Sequence, residues 1–293
     1  MKHQTFKIYK LNKKISKDGF KQLEIGGKIS FLKDVLLKNC SFLVNERGEW
    51  LLNFFADKSY EQSLFISQDD LDFKVYRRLT TASIIISSSE FSDNDAEKLS
   101  MAIRQSKSIK RNDFIEYPSH YSHIDGRGLS FFSKIDNQQD NFYRQLILLS
   151  LAYSYLGAIE FITNKLAEKV SCQDCNIDEL NKLYIEAAKF NSVFFFHQPV
   201  LIDKASLTEM WKEIDKILEV NTSSDELLEQ LSNVYYILNL DSENKKIEKE
   251  KIQHAKQEKW NFVFAIIGIF IGIIELLKWN EHDQHHHHRY RLR

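Results

Sequence analysis

The chain has 293 residues, 43% hydrophobic and 28% charged, with a formal net charge of −1 and a pI near 6.8. That balance offers no basic footprint for nucleic acid, so no nucleic-acid partner is expected. Three cysteines exclude a disulfide-framed scaffold, and with two prolines and nine glycines no Pro/Gly-rich linker divides the chain.

Met1-Lys2-His3-Gln4-Thr5 leads into a lysine-rich, alternating stretch without an apolar h-region. The bulk of the protein is therefore expected in the cytoplasm. Phe6-Lys7-Ile8-Tyr9 alternates as a half-buried strand does. Ser41 to Val44, a turn over Asn45 to Gly48, and Glu49 to Phe55 predict a hairpin. Ser63 to Ser67 and Ala82 to Ser87, rich in β-branched residues, predict two more strands. Ser92 is placed to cap a short helix from Asp95 to about Ser106, with acids in its first turn.

Tyr117 to Gly128 is the most polar segment of this half, and its Pro118, Gly126 and Gly128 predict a loop. His120, His123 and Asp125 resemble metal-ligand types, but a loop supplies no helical facing, and no metal site is expected. A polar ligand pocket uses the same residues more economically. Arg127 would take a phosphate or carboxylate, and Tyr117 or Tyr121 would stack on a base, with His120, His123 and Asp125 beside them. An ordinary surface loop is the plainer reading of the segment.

From Asn141 the character changes to long helices. Gln145 to Glu168 is apolar on most faces, which suits either a bundle core or a membrane span. Ser150, Tyr153, Ser154, Tyr155, Gly157 and Glu160 favour the core for Leu146 to Ile162. Cys172-Gln173-Asp174-Cys175 is a lone C-x-x-C without a second pair to complete a zinc site. Asp178 to Asn191 predicts another helix, broken at Phe194 to Pro199. Ser206 with Glu209 and Ser223 with Glu226 have capping-box spacing, predicting two further helix starts. Leu227, Leu231, Val234 and Leu238 keep heptad spacing, as in a coiled coil. Between Asp241 and Lys259 a Lys/Glu/Gln helix with hardly any apolar face predicts a solvated stalk.

Trp260 to Trp279 then runs without a polar side chain from Phe262 to Ile274. At about 1.5 Å per residue the two tryptophans stand roughly 28 Å apart, close to the thickness of a bilayer's hydrocarbon core. Each indole has a lysine beside it, Lys259 or Lys278, as membrane interfaces favour. These features predict a transmembrane helix. Ala265, Gly268 and Gly272 line one stripe of it and predict close helix–helix packing. Glu275 projects from the same stripe. Its carboxylate is either a pore candidate or a group reaching the headgroups. The tail, His282 and His285 to Arg293, is either weakly metal-binding or an appended run, and is set aside from fold reasoning.

The expected fold class is α+β. Residues 1–140 form a mixed α/β cytosolic domain, 141–259 a long-helix bundle and stalk, 260–279 the single transmembrane helix, and 280–293 a short polar tail. In layout this resembles the CorA-like magnesium transporter superfamily, through Tyr143 to Tyr153, Phe194 to Pro199, and Leu231 to Leu277. Members of that family cross the membrane twice and carry a Gly-Met-Asn signature between the spans. No such tripeptide occurs here, and none of its filter residues carries over. Proteins with a CorA-like body and no signature include membrane effectors of bacterial antiviral defence.

No Gly-rich phosphate loop, Ser/His/Asp pattern or H-E-x-x-H helix occurs, so neither an enzyme nor a cofactor is expected. The expectation is a homo-oligomeric effector anchored in the inner (cell) membrane. Its partners would be the bilayer, further copies of itself, and a small signalling molecule or protein trigger. The alternatives are a CorA-like divalent cation transporter or channel, and a membrane-tethered scaffold.

Overall fold

A computed structural model describes residues 1–11, 15–72, 76–171 and 177–289, with side chains described up to residue 273. Two compact units emerge, Met1–Val234 and Tyr235–Arg293.

The first unit is built on a nine-stranded sheet. In chain order the strands are β1 (Lys2–Leu11), β2 (Lys21–Gln22), β3 (Cys40–Val44), β4 (Trp50–Phe54), β5 (Gln62–Ser67), β6 (Tyr76–Ile86), β7 (Ile115–Tyr117), β8 (His120–Asp125) and β9 (Gly128–Ser133). Their order across the sheet is β2-β3-β4-β5-β1-β6-β9-β8-β7. Every pairing is antiparallel except β6 with β9, which run parallel. The helices are α1 (Asp34–Leu37), α2 (Asp93–Arg104), α3 (Gln139–Ser171), α4 (Ile177–Lys189), α5 (Ala205–Leu218) and α6 (Val220–Arg289).

Successive β9 residues point to opposite faces and show how the sheet is covered. Phe132 stacks on Phe91 at 4.5 Å and joins Ala96 and Leu99 of α2. Its neighbour Phe131 meets Phe142 of α3. Thus α2 covers one face and α3 the other, with α4 and α5 packed on α3. A parallel β6–β9 pair needs a crossover, and the chain between those strands supplies it through α2.

The predicted hairpin is β3 and β4, with Gly48 at φ +76° in its turn. Ser92 caps α2 as expected: its side chain accepts from the Asp95 N–H while Asp95 accepts from the Ser92 N–H. The helix itself begins at Asp93, two residues ahead of the expected start.

Among the described residues one helix is long and apolar enough to cross a membrane by length and composition, α3, but 72% of its apolar window lies buried inside the protein. Sheet, α4 and α5 cover it on most sides, so it serves as the core helix. After α4 the chain makes one wide helical turn, Phe190–Phe194, and then extends. Two buried side chains hold that break: Tyr155 donates to the Phe194 carbonyl at 2.9 Å, and Trp211 Nε1 to the His197 carbonyl at 2.7 Å.

Neither later capping box forms. α5 begins at Ala205, one residue before Ser206, because Thr208 N–H already bonds to the Lys204 carbonyl at 2.9 Å. α6 begins at Val220, and Ser223 lies within its first turn, bonded back to the Glu219 carbonyl at 3.0 Å. One of its free N-terminal donors is met from the preceding helix: Asp215 accepts from Asn221 N–H at 2.8 Å, and also from the side-chain Asn221 Nδ2 at 2.7 Å. A carboxylate one helix away does the work that serine spacing suggested.

Leu227, Leu231 and Val234 of α6 are buried within the first unit. In the second unit, residues 235–289 are helical and the side chains of 241–259 are almost all exposed.

Candidate functional site

Tyr117 to Gly128 is not a loop. It forms the end of β7, all of β8 and the turn into β9. Polar residues on the interior face disguised the alternation: His120, Ser122 and Ile124 are buried while Tyr121, His123 and Asp125 are partly exposed. The turn over Gly126 and Arg127 is closed by Asp125, whose Oδ1 accepts from Arg127 N–H at 2.6 Å and Gly128 N–H at 3.1 Å. Period two over six residues, followed by Asp-Gly-Arg-Gly, was the available signal.

The strand separates the six expected ligand residues onto two faces. Tyr117 and His120 are paired across β7 and β8 and lie inward. The His120 ring is sandwiched by Tyr117 at 4.7 Å and Phe131 at 4.5 Å, both nearly parallel to it. Gln145 of α3, itself buried, donates to His120 Nε2 at 2.8 Å and accepts from Ser122 at 2.9 Å. His120 Nδ1 is then the protonated nitrogen and faces Ser119 Oγ at 3.1 Å. Burial pushes the imidazole down to about 4, so it stays neutral at physiological pH. Burial also raises the Tyr117 phenol to about 12, reinforced by Glu209 and Glu213 of α5.

Tyr121, His123 and Asp125 lie on the α2 side. Tyr121 packs on Phe91 at 4.9 Å and donates to Glu116 at 2.8 Å, which raises its phenol. The His123 ring nitrogens face the Asp113 carbonyl at 2.9 Å and Asp125 Oδ2 at 3.2 Å. Asp125 also accepts from Arg104 Nε at 2.7 Å and pairs with its terminal nitrogen. Burial opposes ionisation of this carboxyl, but His123, the Arg127 N–H and Arg104 together hold it down at about 2. Asp125 therefore remains an anion that ties β8, the turn and the end of α2 together.

Arg127 stands exposed at the tip of that turn, its backbone carbonyl accepting from Thr80 at 2.9 Å. It borders an open cavity of about 560 Å³ together with Arg78 of β6 and Arg104 of α2. Sequence reasoning missed Arg78 and Arg104, which lie 49 and 23 residues away in the chain and carried no local signal.

In the second unit Ala265 and Gly268 are exposed and Gly272 is partly so. A Cβ added at either glycine would meet nothing within 4 Å. Glu275 lies in the helical backbone of α6, but its side chain is outside the described residues, as are Cys172 and Cys175. Among the described residues no group of three or more His, Cys, Asp or Glu is placed to hold a metal.

Compared with known proteins, the chain matches no family model, no curated protein and no solved structure.

Proposed function

We propose that this protein is a homo-oligomeric effector held in the cell membrane by the Trp260–Trp279 stretch of α6. In this reading the Met1–Val234 unit lies in the cytoplasm and senses a ligand or partner. The assembled C-terminal helices then permeabilise or gate the bilayer, with Glu275 as the pore candidate.

One observation carries the reading. Phe262, Val263, Phe264, Ile266, Ile267, Ile269, Phe270, Ile271 and Ile273 are each between 38% and 68% exposed, on every side of the helix. An amphipathic helix would leave one apolar stripe for a protein neighbour; a helix apolar all round needs an apolar surrounding. α3 is comparably apolar and has that surrounding in its own unit. Among the described residues of their own unit, 262–273 have none, and lipid with neighbouring copies supplies it. Gly268 and Gly272, open to approach, suit the packing of such copies. The resemblance to CorA-like bodies lacking the Gly-Met-Asn signature favours a membrane effector of antiviral defence over a selective magnesium transporter.

Induced expression of the full chain and of a chain ending at Lys259 tests this. The full chain should sediment with membranes and, only when its trigger is present, depolarise the cells, reported by a potential-sensitive dye. The shorter chain should be recovered in the soluble fraction and leave the potential unchanged. Membrane association or depolarisation by the shorter chain would refute the proposal.

A further inference from the structure

We propose that the cavity bordered by Arg78, Arg104 and Arg127 is a binding site for a phosphoryl group. Three arginines from three separate elements, β6, α2 and the β8–β9 turn, line one space of about 560 Å³. Its other described lining residues are Ile103, Gln105, Ser106 and Ser108, so among the described residues no carboxylate lines it. Two acids touch the arginines from outside. Asp125 holds Arg104, and Asp70 lies 4.0 Å from Arg78 while pairing more closely with Lys7 at 2.8 Å. Arg127 forms no side-chain ion pair among the described residues. Positive charge is thus in excess where the cavity opens.

The donors are also held in place. Asp125 orients Arg104 through Nε, which leaves its NH1 on Ser108 Oγ at 3.1 Å, and Ser106 Oγ lies 3.0 Å from Ser108 Oγ. Gln105, in a left-handed conformation at φ 59°, ends α2, and Ser106 and Ser108 just beyond it both border the cavity. Planar guanidiniums with adjacent hydroxyls match a tetrahedral oxyanion, which accepts several charge-assisted hydrogen bonds at once. Among the described residues Ile103 is the only apolar one lining the cavity and none is aromatic, so the recognised part is the phosphoryl group itself. The volume accommodates a diphosphate or a phosphomonoester whose remainder reaches solvent. Taken as the trigger site, this rests on the effector reading above; the binding itself does not depend on any membrane step.

The test is calorimetric titration of the full chain in detergent with inorganic pyrophosphate, and separately with a short-chain phosphatidic acid below its micelle concentration. The expected result is saturable binding of one or both that weakens as NaCl is raised. Tighter binding of pyrophosphate would identify a soluble phosphorylated ligand, and tighter binding of the lipid analogue a headgroup. Arg127→Gln and Arg78→Gln should each weaken binding roughly tenfold, the scale of losing a hydrogen bond to a charged group. Lys21→Gln, on β2 at the far edge of the sheet, should leave it unchanged. No saturable binding of either probe at millimolar concentration would overturn the proposal. So would binding unchanged in the two arginine variants, or weakened equally by Lys21→Gln. None of these results bears on whether the chain ending at Lys259 leaves the membrane, so the two readings fail separately.

Discussion

Lowering the pH should destabilise the Met1–Val234 unit through His120, and the size of the effect follows from its surroundings. The ring is 6% exposed, packed between Tyr117 and Phe131, and its Nε2 already accepts from Gln145. Protonation would place a donor against the Gln145 donor in a site without a carboxylate partner for the charge. Burial lowers the folded value from 6.5 to about 4. Above pH 6.5 both folded and unfolded chains hold a neutral imidazole, so His120 makes no difference. Between 6.5 and 4 the unfolded chain binds a proton that the folded one excludes, and stability falls as pH falls. Linkage over those two values gives a loss of about 2.5 kcal/mol at pH 4.5 relative to pH 8. For a unit of this size that corresponds to a Tm lowered by roughly 5–10 °C. His120→Gln keeps a polar side chain able to bond Gln145 and removes the titration. The measurement is Tm by near-UV circular dichroism between pH 4.5 and 8 for wild type and variant in the same detergent. The difference between the two curves cancels other titrating groups, including His3, whose value burial also lowers. The wild-type curve should fall more steeply below pH 6.5. Parallel curves would show that His120 titrates alike in both states and refute the reasoning.

Gly128→Ala would put a Cβ 1.9 Å from the Thr81 carbonyl oxygen, where β6 and β9 start their parallel pairing. Such overpacking costs about 1–3 kcal/mol, so Tm should drop by roughly 3–10 °C. At Gly126, two residues away, a Cβ meets nothing within 4 Å, and Gly126→Ala should leave Tm unchanged; equal effects of the two would remove the close-approach argument. Replacing Gly268 and Gly272 together by leucine should reduce the oligomer mass measured by light scattering in detergent while the circular dichroism of the folded unit is kept. Unchanged mass would locate self-association outside this stripe.

Several elements were legible from local pattern. Period two over Phe6 to Tyr9, the turn at Gly48 between apolar runs, and Ser92 with Asp95 each specify structure through neighbours a few residues away. The apolar, uncharged run of Phe262 to Ile274 is likewise a property of the chain itself. The β7–β9 segment was not legible, because burying His120 and Ser122 becomes tolerable only once Gln145, 25 and 23 residues away, satisfies both. Helix starts at Ala205 and Val220 escaped for a related reason: the first carries no side-chain cap, and at the second Asp215, not a serine at capping-box spacing, accepts from the Asn221 N–H. The polar residues between Ser150 and Glu160 favour core over span for α3 in the sequence, but only tertiary packing supplies the reason it can be core, since sheet and helices cover that surface. Likewise only folding gathers Arg78, Arg104 and Arg127 around one cavity, because a sheet brings distant strands together while a sequence orders them far apart.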